Sequence, residues 1–113
     1  MSDDDKKTKI KNAKIKKDFK AALKFVLATE GEDPRITQMV KLTFYKFFKQ
    51  ATIGRCNEKQ PSMFSPIARL KWEAWNRLGK MSKKKAMLGY IKQLNKLEPD
   101  WRNPNWKPPK SRL

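Results

Sequence analysis

The segment Phe44–Asn57 reads FYKFFKQATIGRCN and gathers aromatic and basic side chains at the end of an apolar stretch. Residues three and four positions apart share one face of an α-helix, so Tyr45, Phe48 and Lys49 are expected to point the same way. Rings beside an ammonium group suit a ligand that carries both a heterocycle and phosphate. An ordinary amphipathic helix with core aromatics and solvated lysines fits the same spacing, and spacing alone favours that simpler interpretation.

The composition limits what kind of molecule this is. The 113 residues leave room for one domain with a modest core. No apolar run approaches the roughly 20 residues that a membrane-spanning helix needs, and the N-terminal sequence lacks the apolar core of a secretory signal. These features predict a soluble chain that is not secreted.

The inventory of reactive side chains argues against catalysis. The chain has no histidine and a single cysteine, Cys56. Intramolecular disulfides and triads that need histidine are therefore excluded, and a zinc site would lack its usual ligands. No paired carboxylates or glycine-rich phosphate loop stand out. We expect no enzyme, no catalytic residues, no metal and no cofactor.

The positive charge is spread along the whole chain. The net charge is +17, of which +4 falls in residues 1–20, +3 in residues 99–113 and the rest in between. Such a field attracts anions, whether nucleic acid, acidic lipid surfaces or phosphorylated small molecules. Charge by itself does not choose among these partners.

Helical periodicity sets in after a basic leader. Residues 1–14 alternate lysine with polar residues and are predicted to form a flexible basic arm. An apolar stripe of helical spacing then follows, and Gly31 and Pro34 end this first helix. The stripe comprises Ile15, Phe19, Ala22, Leu23 and Val26.

Three further helices are predicted. Thr37 is a plausible N-cap for the second helix, which ends near Thr52 before Gly54. After a long loop over 54–65, Ser65 and Pro66 begin a third helix that reaches about Leu78. Ser82 caps a fourth helix running to Leu97. With no strand signal, these segments predict an all-α four-helix bundle over 15–98.

The end of the chain differs in character. Residues 99–113 form a basic tail that contains proline and tryptophan and cannot be helical throughout. We expect Trp101 and Trp106 to pack back on the bundle. The final Ser111-Arg112-Leu113 resembles the Ser-Lys-Leu type of peroxisomal address, which makes a peroxisomal location an alternative to the cytoplasm if this C-terminus is native.

The motifs together resemble the acyl-CoA-binding protein family, also known for diazepam-binding inhibitor. The resemblance covers roughly residues 19–97, and Tyr-x-x-x-Lys-Gln-Ala-Thr followed by Lys-Trp-x-Ala-Trp is its specific signature. The matching positions are Phe44, Tyr45, Lys49–Thr52, Gly54, Cys56, Asn57, Pro61, Phe64, Lys71–Trp75, Met81, Ser82, Ala86, Met87, Tyr90 and Ile91. It implies an up-down-down-up topology with a long crossing loop between the second and third helices.

The resemblance also implies a function. Family members sequester long-chain acyl-CoA thioesters without catalysis, which predicts an intracellular acyl-CoA carrier and pool former in lipid metabolism. By resemblance, Tyr45, Lys49 and Lys71 would hold the nucleotide and its 3′-phosphate, Phe48 would flank the adenine, and Tyr90 would lie near the pantetheine and acyl portion. The predicted ligand-binding set is Tyr45, Lys46, Phe47, Phe48, Lys49, Lys71 and Tyr90, with Ala22, Lys24 and Leu27 as further candidates.

The sequence also contains features that fit other partners. A first-helix lysine that contacts CoA in relatives falls near Leu27 here, while Lys24 lies one turn earlier. A nucleic-acid or anionic-membrane binder is the second hypothesis, motivated by the charge and the interleaved aromatics. Transient contact with an anionic membrane is compatible with a carrier, whereas nucleic acid is disfavoured. We expect a monomer.

Overall fold

Four helices account for most of the computed structural model, which describes residues 3–109. They are α1 (Asp3–Thr29), α2 (Gln38–Thr52), α3 (Pro66–Asn76) and α4 (Lys83–Leu97). Within residues 3–109 there is no strand, so the all-α prediction is confirmed. None of the described helices has the length and apolar character needed to cross a membrane.

The core lies where α4 packs between α1 and α2. Tyr90 and Leu94 of α4 are almost completely buried, as are Val26 of α1 and Phe44 of α2. The helix α3 packs on α2, so the contacts α1–α4, α2–α4 and α2–α3 join the four elements. This arrangement is consistent with the predicted up-down-down-up order.

Side-chain hydrogen bonds cap the first turn of two helices, and a third helix begins without such a cap. The Thr37 hydroxyl accepts a hydrogen bond from the Val40 N–H at 3.3 Å, and the Ser82 hydroxyl accepts one from the Lys85 N–H at 3.1 Å. Both predicted caps are therefore confirmed. The helix α3 begins at Pro66 after Ser65, as predicted, but the Ser65 side chain makes no capping hydrogen bond.

The helix α3 ends at Asn76, two residues before the predicted Leu78. The Leu78 N–H donates to the Trp75 carbonyl at 3.0 Å, which tightens the chain into a turn. Gly79 then adopts a φ of 55°, a left-handed conformation that glycine accepts without steric cost.

The helix α1 begins much earlier than the sequence pattern indicated. We predicted a flexible arm over 1–14 and a helix from about Ile15, whereas α1 starts at Asp3. The described side chains over 5–14 are nearly all exposed, so they offer no apolar stripe for periodicity to detect. Lysine is a good helix former, and Asp5 in the first turn complements the helix dipole.

The long loop over 53–65 is held by indole groups of α3. The Trp75 N–H donates to the Gly54 carbonyl at 2.9 Å, and the Trp72 N–H donates to the Glu58 carbonyl at 2.7 Å. Gly54 has a φ of 99°, so the chain leaves α2 in a conformation that favours glycine. The Lys-Trp-x-Ala-Trp motif therefore has a structural role in fixing this loop.

Gln50 fixes the connection between α3 and α4 in a similar way. Its side chain is fully buried, and its amide donates to the carbonyls of Gly79 at 3.0 Å and Met81 at 2.7 Å. Burying a polar group is costly unless it is hydrogen-bonded, so these two bonds determine where the turn can lie.

The two tryptophans after α4 pack on the bundle, as predicted. Trp101 is buried and donates from its indole N–H to the Asn95 side-chain oxygen at 2.7 Å. The Trp106 ring meets the Phe25 ring edge-on, with centroids 4.7 Å apart. The tripeptide Ser111-Arg112-Leu113 lies outside the described residues.

A cluster of charges joins the α1–α2 loop to the end of α4. The Arg35 guanidinium pairs with the buried carboxylate of Asp33 at 2.8 Å and with Glu98 at 2.8 Å. It also donates to the Leu97 carbonyl. Hydrogen bonding to Arg35 lowers the pKa of both carboxyls below their ordinary values.

These lowered pKa values predict an acid-labile fold. Stability from Asp33 and Glu98 is present above the ordinary carboxyl pKa values of 3.8 and 4.5, and it is lost as the pH falls through the lower folded values. Replacing Arg35→Gln should cost about 2 kcal/mol at neutral pH, since it leaves the buried Asp33 carboxylate underbonded. It should also flatten the fall in stability below about pH 5.

Urea unfolding followed by circular dichroism between neutral and acid pH measures both effects. Arg69→Gln is the matched control, because Arg69 pairs only loosely with Glu73, at 4.0 Å on the surface of α3. Its cost should be a few tenths of a kcal/mol. Equal losses for the two variants would contradict the importance of the Arg35 cluster.

Candidate functional site

An open groove of about 760 Å³ runs between the helices and contains side chains from all four of them. This volume lies within the range of sites for small ligands. Most of the lining is aliphatic or aromatic. The lining residues are Leu23, Val26, Leu27, Glu30, Gln38, Met39, Lys41, Leu42, Phe44, Tyr45, Phe48, Ile67, Leu70, Lys71 and Tyr90.

One wall of the groove carries a ring flanked by cations. The Lys71 ammonium lies 5.0 Å from the centre of the Tyr45 ring, and the Lys49 ammonium lies 5.9 Å from the same centre. Lys49 also lies 5.2 Å from the Trp75 ring. Tyr45 comes from α2 and Lys71 from α3, so the packing of these helices creates the cluster. Cations over aromatic faces are attracted by the ring quadrupole.

The cation cluster is only partly neutralised. Lys49 pairs with Glu58 of the 53–65 loop at 3.5 Å, and the Glu58 side chain is half exposed. Among residues 3–109, Lys71 forms no ion pair, and its contact on this wall is with the Tyr45 ring. An incoming phosphate would therefore meet positive charge that the protein has already brought together.

Both tyrosines of the chain lie in this groove and stay protonated at neutral pH. Partial burial raises the pKa of Tyr45, although the charge of Lys49 opposes the shift. Tyr90 is 1% exposed, and its deeper burial raises its pKa further. Each phenol is therefore neutral and keeps its hydrogen-bond donor.

Tyr90 also forms the floor of the groove. Its ring meets Phe19 of α1 edge-on at 5.3 Å between centroids and Phe44 of α2 at 4.9 Å. Phe44 lines the groove beside Tyr90. This aromatic cluster makes the floor rigid, because the Tyr90 ring is held by rings on two other helices.

The structure brings five of the ten predicted binding residues into the groove lining: Leu27, Tyr45, Phe48, Lys71 and Tyr90. Lys49 lies at the same wall through its contacts with Tyr45 and Trp75, although it is not part of the lining. The contribution of each residue to binding stays a prediction.

The other four candidates are not part of the groove lining. Lys46 and Phe47 follow Tyr45 by about 100° and 200° around α2, so they face other directions. The Lys46 ammonium lies 5.1 Å from the Phe47 ring, which packs against α4 at Gly89. Ala22 is fully buried in the core, and Lys24 is exposed on α1.

Several lining residues were not predicted although the sequence contains their signal. Lys41 and Leu42 precede Tyr45 by four and three positions, so helical spacing places them on its face. Ile67 has the same relation to Lys71 on α3. Glu30 ends a stripe that includes Leu23 and Leu27. Each of these four residues lies three or four positions from a predicted binding residue, so helical spacing identifies it from the sequence.

The four-helix fold and the apolar groove with its cation-flanked ring define a helical ligand-binding domain. Residues 16–94 match the family model described as acyl CoA binding protein. The chain belongs to the acyl-CoA-binding protein family, as the resemblance predicted.

Curated relatives and solved structures agree with this assignment. Acyl-CoA-binding domain-containing protein 5 of Xenopus tropicalis is 42% identical over 81 residues, which are 70% of this chain and 18% of that protein. The Gallus gallus protein of the same name is 43% identical over 81 residues, again 70% of this chain but 16% of its own length. The chain thus spans less than a fifth of the length of these relatives.

Two solved structures share the fold. The crystal structure of ACBP from Moniliophthora perniciosa has a TM-score of 0.71 and 31% identity, and the match covers 79% of this chain and 85% of that one. The solution structure of acyl CoA binding protein from Babesia bovis has a TM-score of 0.67 and 45% identity, covering 77% of this chain and 97% of that one. The family assignment therefore rests on sequence and on fold.

The burial of the two tyrosines yields a prediction for alkaline titration. Both phenols should ionise only above their ordinary pKa of about 10, with Tyr45 before Tyr90. Because both folded pKa values are raised, the stability that depends on neutral phenols is present below about pH 10 and is lost as the pH rises through the folded values. Ultraviolet difference absorbance of tyrosinate against pH measures this order.

The variant Tyr45→Phe assigns the two steps. It should remove the earlier step and leave Tyr90 to ionise together with unfolding, which circular dichroism follows in parallel. Ionisation of Tyr90 near pH 10 in a folded chain would contradict its placement in the core.

Proposed function

We propose that this chain binds long-chain fatty acyl-CoA thioesters and acts as an intracellular carrier that keeps them in a bound pool. The observation that carries the proposal is the combination of an apolar groove with Tyr45 between two lysines. A thioester of this kind has a hydrocarbon chain, an adenine ring and dense phosphate charge. Each of these parts has a counterpart among the described side chains.

The phosphate groups would meet the cations. Lysine binds phosphate as a point charge, and the Lys71 and Lys49 ammonium groups both lie within 6 Å of the Tyr45 ring centre, at 5.0 Å and 5.9 Å. The Tyr45 and Phe48 rings are one helical turn apart on α2 and both line the groove. They would stack on the adenine or flank it, as aromatic side chains do with planar heterocycles.

The acyl chain would lie on the aliphatic lining. Leu23, Val26 and Leu27 provide this surface from α1, and Met39 and Leu42 continue it on α2. Burial of hydrocarbon supplies a favourable free energy that grows with the area removed from water. Tyr90, on the groove floor, would lie beside the pantetheine and the start of the acyl chain.

We propose binding without chemical conversion. The groove would orient the ligand and shield it from water. No described side chain is arranged as a nucleophile with a base. Among the described residues no cluster of acidic, cysteine or histidine side chains could hold a metal ion. The thioester would therefore leave the groove unchanged, which is what a carrier requires.

Affinity should depend steeply on acyl length. Burial of each methylene contributes about 0.8 kcal/mol, so each added pair should tighten Kd by about tenfold or more until the groove is full. Isothermal titration calorimetry with octanoyl-, decanoyl-, dodecanoyl- and palmitoyl-CoA measures the series. Free CoA is the control for the nucleotide alone.

A series without dependence on chain length would contradict the assignment of the groove to the acyl chain. No binding of palmitoyl-CoA at micromolar protein would overturn the proposed function.

The cation wall makes a separate prediction. Lys71→Ala should weaken palmitoyl-CoA binding by about tenfold and reduce its sensitivity to salt, because one phosphate contact is removed. Lys92→Ala is the matched control, since Lys92 is an exposed lysine of α4 outside the groove lining. Calorimetric titration measures the affinity of both variants for palmitoyl-CoA. Equal affinities of the two variants would contradict a phosphate site at Lys71.

A further inference from the structure

The mouth of the groove is bordered by large apolar side chains that face solvent. Nine such side chains are exposed in the described part of the chain, and four of them line the groove: Leu27, Met39, Ile67 and Leu70. A bound acyl chain could cover these four. Two others lie outside the groove lining and next to each other in the chain.

These two residues, Met63 and Phe64, form what we call the lip. Met63 is 73% exposed and shares a small surface hollow with Leu70 of the groove lining. Phe64 is the next residue and is 90% exposed, which makes it the most exposed of the large apolar side chains. Two large apolar side chains exposed side by side, one of them sharing a hollow with the groove lining, favour contact with an apolar partner.

Hydrogen bonds to Ser62 hold the backbone of the lip in a turn. The Phe64 N–H donates to the Ser62 hydroxyl at 3.2 Å, and the Ser65 N–H donates to the Ser62 carbonyl at 2.9 Å. Pro66 begins α3 directly afterwards. The backbone therefore presents Phe64 outward from a defined turn at the start of a helix, where a partner can receive it without ordering a long segment.

The charges that line or flank the groove and the hollow favour an anionic partner. Lys41 and Lys71 line the groove and Arg69 lines the hollow, against the two carboxylates Glu30 and Glu73. Glu73 is in turn loosely paired with Arg69 at 4.0 Å. Beyond this border, α1 adds the exposed residues Lys20 and Lys24 within two turns of Leu27. The chain as a whole carries a net charge of +17.

We propose that the lip docks on an anionic lipid bilayer, with Phe64 and Met63 in the interfacial layer and the groove mouth against the headgroups. A bilayer offers hydrocarbon directly beneath negative charge, which matches an apolar tip with cations around it. Nucleic acid offers the negative charge, but it has no hydrocarbon layer to receive aliphatic side chains such as Met63 and Ile67. Docking in this orientation would place the groove beside the phase into which acyl chains partition.

Vesicle sedimentation tests the docking on the full chain without ligand. We expect the protein to sediment with vesicles of phosphatidylcholine and phosphatidylserine and to bind far less to phosphatidylcholine alone, with binding reduced by salt. The double variant Met63→Ser, Phe64→Ser should lower the partition coefficient by about tenfold or more, because the buried apolar area is lost.

The matched control replaces two exposed apolar residues outside the groove lining and the hollow, Ile53→Ser and Leu88→Ser. Its partition coefficient should change by less than about twofold. Wild-type protein that fails to sediment with the anionic vesicles overturns the proposal. So does binding that is insensitive to the lip substitutions, which would indicate attraction by the lysines alone, and so does an equal loss in the control.

A fluorescent label gives a second, independent measurement. An environment-sensitive dye on Phe64→Cys, in a Cys56→Ser background, should shift to shorter wavelengths when anionic vesicles are added, whereas the dye on Ile53→Cys should not. A shift at both positions or at neither overturns the proposed orientation. Titration of the lip variant with octanoyl-CoA in the absence of vesicles separates the two proposals, since loss of vesicle docking should leave ligand binding intact.

Discussion

The packing of Tyr90 between α1 and α2 is the contact on which the remaining structure depends. Its ring lies against Phe19 on one side and Phe44 on the other, so one side chain of α4 joins three helices. The same ring forms part of the groove floor. The core and the groove floor therefore share a residue, and the aromatic cluster fixes how far α1 and α2 stand apart. The width of the groove follows from that separation.

The cation wall illustrates how the fold concentrates charge. Lys49 and Lys71 come from different helices, and two ammonium groups near one ring repel each other, which the pairing of Lys49 with Glu58 reduces only in part. The packing of α3 on α2 and the loop held by Trp72 and Trp75 bring them together nevertheless. Folding of the apolar core thus supplies the free energy that places two lysines of different helices beside one ring.

Segments outside the groove are fixed by specific polar contacts. Gln50 determines the α3–α4 turn through two backbone carbonyls, and Arg35 joins the α1–α2 loop to the end of α4 through Asp33 and Glu98. Trp101 extends the core past α4. Each of these contacts joins parts of the chain that are distant in sequence, and none of them was predicted from local spacing except the return of the tryptophans.

The sequence by itself determined the four helices, two of their caps and the family, because helical periodicity and capping are local properties and the Tyr45–Thr52 and Lys71–Trp75 motifs are specific. It did not reveal the helical state of residues 3–14, since an exposed lysine-rich helix has no apolar stripe. Spacing also did not separate the residues that line the groove from four candidates that do not, namely Lys46, Phe47, Ala22 and Lys24. Only the tertiary structure decided which residues share the groove, because that depends on the rotation of each helix about its axis and on which helices pack together.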